Sequence, residues 1–160
     1  MAYVVANECQ SKVKTIVAPS LKTVGDLIEV LTKIEKQDVL FIDEIHGLPK
    51  KVEEILYSAM EDFKVNIKLG NKEIIPIALE PFCLIGATTS PGKMAAPLRD
   101  RFSINYNMVF YDIEDLSTII KANARKLEME LADEECLANL AARSRGTPRI
   151  ANRFLRRVRD

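Results

Sequence analysis

The chain has few cysteines and no surplus of either charge. Cys9, Cys83 and Cys136 are far apart and form no Cys-x-x-Cys pair, so we expect neither a disulfide framework nor a zinc site. Such sparse cysteines suit a reducing cytosol. Lysine plus arginine and aspartate plus glutamate number 23 each, so the overall charge does not indicate a nucleic-acid partner.

Long apolar runs are also missing. No segment approaches the length of a membrane span, and the first eight residues lack the basic head and cleavage pattern of a signal peptide. We therefore expect a cytoplasmic protein without a membrane partner. At 160 residues, the chain suits one domain, or a large fragment with a small second lobe.

Positive charge is concentrated near the C-terminal end. Residues 143–160 contain seven arginines and one acid, Asp160. Such a segment can attract the phosphates of DNA or of a nucleotide. A solvated helix face is the alternative interpretation.

Two carboxylates follow an apolar run. Residues 39–42 are all apolar, which indicates a buried parallel strand, and Asp43 and Glu44 come directly after it. Open α/β sheets bind ligands at this end of their strands. One carboxylate there can hold Mg²⁺ on a nucleotide, and the other can orient or deprotonate an attacking water. Alternatively, the two acids simply begin the next helix.

Two hydroxyls end a second predicted strand. Residues 82–89 predict another buried strand that ends in Thr88 and Thr89. Parallel strands of one sheet would bring these hydroxyls to the carboxylates. Either threonine could hold the attacking water or a phosphate oxygen, although threonine is common at strand ends for other reasons.

Between these strands, the pattern predicts a helix and a hairpin. Pro49 fits the first turn of a helix whose last turn carries Glu61 and Asp62, where acids oppose the helix dipole and favour a cation or partner. Residues 65–69 and 75–79 alternate around a turn, so we expect a β-hairpin, with one edge strand because of Pro76. An exposed hairpin could dock a partner, or it could pack on its own domain.

Arginines follow the second strand and begin the last predicted helix. Arg99 and Arg101 flank Asp100; arginine suits a transferring phosphoryl group, also across a subunit boundary, but a local Arg-Asp pair is the alternative. Helices are predicted over 113–129, 134–144 and 148–159, with a lobe boundary near Tyr111. Arg149 lies in the first turn of the last one, where a cation is unfavourable unless an anion offsets it.

This order of motifs is the one expected of an AAA+ ATPase. The sequences of five motifs closely resemble those of the RuvB family, the motors of bacterial Holliday-junction branch migration. The similarity runs over essentially all 160 residues. It implies an α/β fold with a partial P-loop-type parallel sheet over 1–111 and a small helical lid over 112–160. The motifs are Phe41-Ile42-Asp43-Glu44-Ile45-His46, Ala59-Met60-Glu61-Asp62-Phe63, Gly86-Ala87-Thr88-Thr89, Pro97-Leu98-Arg99-Asp100-Arg101-Phe102 and Arg145-Gly146-Thr147-Pro148-Arg149-Ile150-Ala151-Asn152-Arg153.

The resemblance also implies a role for each candidate residue. Asp43 and Glu44 correspond to the Walker B pair, with Asp43 on the metal. Thr89 is similar to sensor 1, Arg101 to the arginine finger that enters a neighbouring subunit, and Arg149 to sensor 2. The residues expected at nucleotide or subunit contacts are Glu61, Asp62, Phe63 and Tyr111.

By the same resemblance, ATP and Mg²⁺ are the expected cofactors. The expected assembly is a homo-hexameric ring on Holliday-junction or duplex DNA, in the cytoplasm at the nucleoid, with the 65–79 hairpin docking on RuvA. His46 could report the nucleotide state or be held by local hydrogen bonds, and it receives no catalytic role.

One motif of the family is missing from these residues. No G-x-x-x-x-G-K-S/T occurs in the chain, and the family's winged-helix DNA-binding lobe is not matched either. The expected activity is that of an ATP-hydrolysing DNA helicase motor, with the 160 residues inactive on their own. The alternative is a catalytically incomplete module, resembling a clamp-loader subunit, that supplies Arg101 without hydrolysing ATP.

Overall fold

The structure is a computed structural model that describes residues 1–69, 73–129 and 133–159. The chain forms two compact units, residues 1–104 and 105–160. Residues 105–111, which the sequence assigned to the first lobe, group with the second unit, and the lobe division at Tyr111 stays a prediction. Within the described residues, no helix is long and apolar enough to cross a membrane.

The first unit is an α/β structure built on a parallel sheet, as predicted. Its elements are α1 (Ala2–Glu8), β1 (Val13–Val17), α2 (Val24–Thr32), β2 (Val39–Asp43), α3 (Lys50–Asp62), β3 (Lys64–Leu69), β4 (Glu73–Ala78), β5 (Cys83–Gly86) and α4 (Ala96–Arg99). The strand order in the parallel sheet is β1-β2-β5, with Val13 opposite Val39 and Val39 opposite Cys83.

The two strands that carry the site differ in burial. β2 lies between β1 and β5, and its Val39, Leu40 and Ile42 are fully buried. The prediction that β5 is also a buried strand was wrong, because Cys83 is exposed and the two apolar residues after it are only half-buried. Among the described strands, β5 pairs with β2 alone, so it forms an edge of the sheet.

The helices of the first unit cover this sheet with apolar faces. Thr23 and Asp26 form a capping box at the start of α2, which satisfies backbone donors at the helix end. The core lies between these helices and β2. Its fully buried large side chains include Leu27, Leu31, Leu40, Ile42, Ile45, Leu56 and Leu98.

The predicted hairpin is confirmed as an antiparallel pair of β3 and β4, with Asn66 opposite Pro76. Its predicted turn at Gly70-Asn71 lies outside the described residues. Val65 is buried in the core of the first unit, whereas the Ile74 side chain is 56% exposed. One end of the hairpin is therefore packed on the unit and the other presents apolar surface to solvent.

The second unit contains three helices, α5 (Ile113–Lys126), α6 (Glu134–Arg143) and α7 (Pro148–Arg159). α5 ends at Lys126, before the predicted end at 129, because the backbone at Glu128 turns to a φ of 55°. Asp112 caps α5, because its side chain accepts a hydrogen bond from the Asp115 N–H at 2.7 Å. The core is formed by Leu116, Ile120, Ala124, Leu137, Ala141, Ala151 and Leu155.

Gly146, between α6 and α7, is required by its surroundings. Its φ is 69°, and an added Cβ would lie 2.7 Å from Phe110 Cβ. Its carbonyl accepts a hydrogen bond from the Tyr111 N–H at 3.0 Å. The segment before α5 therefore lies against this turn, at a distance that a side chain at position 146 would prevent.

Candidate active site

The two carboxylates lie where β2 ends, and the next helix does not begin with them. Asp43 is the last residue of β2 and is exposed. Glu44 has a φ of 50°, unusual for a residue other than glycine, and opens a short turn over Ile45–Gly47. α3 begins only at Lys50. The alternative that the two acids belong to the first helical turn is therefore wrong, and backbone strain at Glu44 is of the kind found at functional sites.

The end of β5 meets the end of β2 through Glu44 and Thr89. The Thr89 hydroxyl lies 3.0 Å from Glu44 Oε2 and 3.2 Å from Oε1, and the Thr89 N–H donates to Oε2 at 3.3 Å. This confirms the prediction that the hydroxyls and carboxylates of the two strand ends come together. Of the two threonines considered, Thr89 is the one that contacts the acid.

Thr88 contacts His46 instead. His46 Nδ1 lies 2.8 Å from Thr88 Oγ1 and 3.3 Å from Glu44 Oε2, and the imidazole is only 18% exposed. The Ser90 N–H donates to Thr88 Oγ1 at 3.0 Å. A small polar network therefore joins the turn after β2 to the loop after β5.

Gly86 allows this close approach. A Cβ at this position would lie 2.9 Å from Ile45 Cδ1 and 3.2 Å from Phe102 Cζ. Ile45 is itself anchored, because its side chain is 1% exposed and its N–H donates to the Ala87 carbonyl at 2.9 Å. The glycine before the two threonines thus lets β5 pass directly beside the turn that carries Glu44 and His46.

Arg101 is held against α3 in its own chain. Its Nε lies 2.9 Å from Glu61 Oε1, although the N–H is not aligned for a hydrogen bond, and Nη1 donates to the Pro97 carbonyl at 2.7 Å. The guanidinium also lies 4.5 Å from the centre of the Tyr57 ring. Sequence analysis did not identify Tyr57. The sequence does hold one signal for it: Tyr57 precedes Glu61 by four residues, a spacing that puts both side chains on one face of a helix.

The other residues expected near the nucleotide make local contacts. Asp62 pairs with Lys64 at 3.3 Å. Phe63 takes a φ of 48° and packs edge-to-face on Phe82, with ring centres 5.9 Å apart. The predicted Arg99-Asp100 pair is present at 3.8 Å between exposed side chains, where such pairs contribute little.

In the second unit, Arg149 occupies the first turn of α7, as predicted, and is exposed. Tyr111 is 42% exposed. α7 carries four exposed arginines along one face, namely Arg149, Arg153, Arg156 and Arg157. This face can attract an anion, which accords with the helix-dipole argument for Arg149.

A divalent metal fits the end of β2 as a partner of one carboxylate. The described residues contain no group of three or more histidines, cysteines or acids that could hold a metal ion by themselves. Mg²⁺ commonly binds one or two carboxylates together with water and substrate phosphates, without an all-protein cage. The exposed Asp43 side chain matches that mode of binding.

Residues 1–108 match the model of the Holliday junction DNA helicase RuvB P-loop domain. The chain belongs to the RuvB family. Residues 111–160 match the RuvB AAA lid domain, so the two matches together cover nearly all of this RuvB-family chain. The sequence-based assignment to the RuvB family is thereby confirmed.

Individual relatives support this assignment. The chain is 52% identical to the Holliday junction branch migration complex subunit RuvB of Sulfurimonas denitrificans, and the match covers 100% of the chain and 48% of that protein. It is 49% identical to the same subunit of Lactococcus lactis subsp. lactis, with coverage of 100% and 49%. The chain therefore spans about half the length of the curated relatives it matches.

Solved structures agree with the fold. The Holliday junction branch migration motor RuvB of Thermotoga maritima is 44% identical, with a TM-score of 0.88, over 99% of this chain and 49% of that one. A mutant of that protein gives a TM-score of 0.91 at 44% identity, over 99% of this chain and 50% of the mutant. The predicted combination of an AAA+ parallel sheet and a helical lid is thus confirmed.

Proposed function

We propose that this RuvB-family chain is part of an ATP-driven motor subunit for Holliday-junction branch migration. The observation that carries the proposal is the pairing of Glu44 with Thr89 at two adjacent parallel strand ends. This pairing places an acid and a hydroxyl where α/β sheets bind ligands, in a chain whose named relatives are branch-migration subunits.

Each group has a defined role in the proposed site. ATP supplies the transferred phosphoryl group. Asp43 would hold Mg²⁺, which when bound would neutralise charge on that group. Glu44 orients and deprotonates the attacking water, and Thr89 fixes that carboxylate and contacts the γ-phosphate. A carboxylate offers about four lone-pair sites, so Glu44 can accept from Thr89 and still bind a water.

Two arginines complete the proposed nucleotide site. Arg101 acts in trans on the site of a neighbouring subunit in a homo-hexameric ring, where its guanidinium neutralises charge on the γ-phosphoryl group. Arg149 contacts the nucleotide from the first turn of α7, since a bound phosphate offsets the cost of a cation at that position. We assign the remaining contacts, to the nucleotide or to the neighbouring subunit, to Glu61, Asp62, Phe63 and Tyr111.

Two surfaces serve the proposed macromolecular partners. The exposed Ile74 and Ile75 side chains give the hairpin an apolar surface. This surface supports docking of the hairpin on a RuvA-like protein. The basic face of α7 supports contact with phosphate groups, and the DNA is a Holliday junction or a duplex. We place this activity in the cytoplasm at the nucleoid.

The 160 residues alone are proposed not to hydrolyse ATP. They contain no G-x-x-x-x-G-K-S/T, the motif whose backbone N–H groups cradle phosphates. By themselves they would act as a module that offers Arg101 to a neighbour, which is the second candidate function.

A chimeric subunit tests the motor proposal. In it, the 160 residues replace the matching segment of the Sulfurimonas denitrificans relative, and branch migration is followed on a fluorescently labelled junction with RuvA present. ATP-dependent migration supports the proposal. A folded chimeric subunit that shows neither ATP hydrolysis nor migration contradicts the proposal. In a separate assay, the 160-residue chain by itself should not hydrolyse ATP.

A further inference from the structure

His46 is the single histidine of the chain, and the proposed function gives it no role. It lies in the Ile45–Gly47 turn, where Nδ1 is 2.8 Å from Thr88 Oγ1 and 3.3 Å from Glu44 Oε2. One ring nitrogen therefore faces both the base of the proposed reaction and the loop after β5.

The surroundings of Nδ1 decide where the neutral ring carries its proton. An ionised carboxylate only accepts hydrogen bonds, so an unprotonated Nδ1 would set its lone pair against the lone pairs of Glu44 Oε2. A protonated Nδ1 can donate to Thr88 Oγ1, 2.8 Å away, and its positive end then lies near Oε2 at 3.3 Å, where the interaction is electrostatic. The contacts of one ring nitrogen fix the tautomer of a histidine, and these contacts favour the Nδ1–H form.

We propose that His46 is a positioning residue for Glu44 and acts through its Nδ1–H. The Glu44 carboxylate then receives hydrogen bonds from the Thr89 N–H and the Thr89 hydroxyl, and it has the polar Nδ1–H of the His46 ring 3.3 Å from Oε2. Donors from both strand ends restrict its rotation, and Thr88 in turn fixes the ring. The inference rests on the proposed function, because it gives His46 a purpose only if Glu44 activates the attacking water.

Two features of the fold place the ring here. The positive φ of Glu44 and the hydrogen bond from the Gly47 N–H to the Glu44 carbonyl, 2.7 Å long, fold the turn back on itself. The close passage of β5 at Gly86 brings Thr88 within reach. Small displacements of a base can lower a rate by up to roughly 100-fold, so a group that limits them affects turnover directly.

The first test is ¹⁵N NMR of the 160-residue chain with labelled histidine, at a pH where the ring is neutral. Because the chain has one histidine, its two nitrogen signals are assigned without ambiguity. We expect a protonated Nδ1 and an unprotonated Nε2, with the Nδ1–H share reduced in Glu44→Ala and unchanged in the matched control Glu29→Ala. A predominant Nε2–H form in the unchanged chain overturns the proposal.

The second test measures ATP hydrolysis by the chimeric subunit. His46→Ala should lower kcat by about tenfold or more without changing KM for ATP. His46→Asn, whose amide N–H falls near the position of Nδ1, should recover part of the loss, whereas His46→Gln, which reaches toward Nε2, should not. Equal kcat values for His46→Ala and the unchanged subunit, or equal recovery by the two amides, overturn the proposal.

The two failures can be told apart. If the unchanged chimeric subunit folds and hydrolyses no ATP, the proposed function fails, and the NMR result still decides whether His46 carries its proton on Nδ1 beside Glu44. If the unchanged subunit is active and His46→Ala is equally active, only the role of His46 fails. Melting temperatures of all variants show whether a loss of activity follows from unfolding.

Discussion

Arg101 and Glu61 form an ion pair within one chain, with Nε 2.9 Å from Oε1. Glu61 lies in the last turn of α3, where an acid opposes the helix dipole. The sequence indicated that a cation or partner would offset this cost. The cation beside Glu61 is Arg101, the same arginine that we propose enters a neighbouring subunit. The Arg101 side chain is therefore held in an ordered position within its own chain, without a neighbouring subunit.

Replacement of Arg101 by alanine in the chimeric subunit should lower ATP hydrolysis by about a thousandfold or more, because charge on the γ-phosphoryl group is no longer neutralised. ATP binding should be retained. Both quantities can be measured by phosphate release and by binding of a fluorescent ATP analogue. Arg99→Ala is the matched control, since its exposed side chain pairs only weakly with Asp100, and it should hydrolyse ATP normally.

Mixed rings test whether Arg101 acts in trans. A subunit carrying Arg101→Ala keeps Glu44, and a subunit carrying Glu44→Gln keeps Arg101. If the arginine reaches the neighbouring site, mixtures of the two should regain part of the hydrolysis that each lacks alone. Mixtures that assemble and remain as inactive as either variant would contradict an action in trans.

Gly86→Ala should destabilise the first unit by about 1–3 kcal/mol through overpacking. The added methyl group would meet Ile45 Cδ1 at 2.9 Å. Hydrogen exchange of the β2 amides measures the effect locally. Ile45→Val removes that carbon, so the double variant should lose less stability than the sum of the two single variants. Strict additivity would show that this contact is not the cause.

The capping box of α2 predicts a pH-dependent stability. The hydrogen bond that the Thr23 backbone N–H donates to the Asp26 carboxylate, followed by the Thr23 side chain, holds the pKa of Asp26 below its ordinary value. A carboxyl whose pKa is lowered by folding stabilises the folded state above its unfolded pKa, and this stabilisation is lost as the pH falls through the folded value. Asp26→Asn should therefore be less stable than the unchanged chain at pH about 7 and approach it below about pH 4.

Urea unfolding at the two pH values checks this expectation. Glu29→Gln, also on α2 but outside the capping box, is the control and should show a smaller change between the two conditions. A stability difference for Asp26→Asn that is the same at neutral and acidic pH would contradict the assignment.

Local patterns predicted much of this fold. The strand predicted from the apolar run at 39–42 and the three late helices each depend on residues close in sequence, and each is present. The meeting of Glu44 with Thr89 was also predictable, because parallel strands place their carboxyl ends at one edge. These features follow from periodicity and topology alone.

Other features depend on contacts that sequence spacing does not reveal. The contacts of Tyr57 and Glu61 with Arg101 join α3 to the segment that follows α4, far away in the chain. β5 has an apolar sequence and was expected to be buried, but its burial is set by how many strands flank it. The orientation of His46 depends on the backbone at Glu44, and a positive φ at a glutamate has no simple sequence signal.

Glu44 is the central residue of the proposed site. Single-turnover ATP hydrolysis by the chimeric subunit measures whether this carboxylate activates the attacking water. Glu44→Gln keeps the shape of the side chain and its hydrogen bonds from Thr89, but it removes the base. We predict that ATP binding is retained and that the rate of γ-phosphate cleavage falls by about 100-fold or more. A cleavage rate equal to that of the unchanged subunit, with ATP bound equally well, would contradict the proposed site.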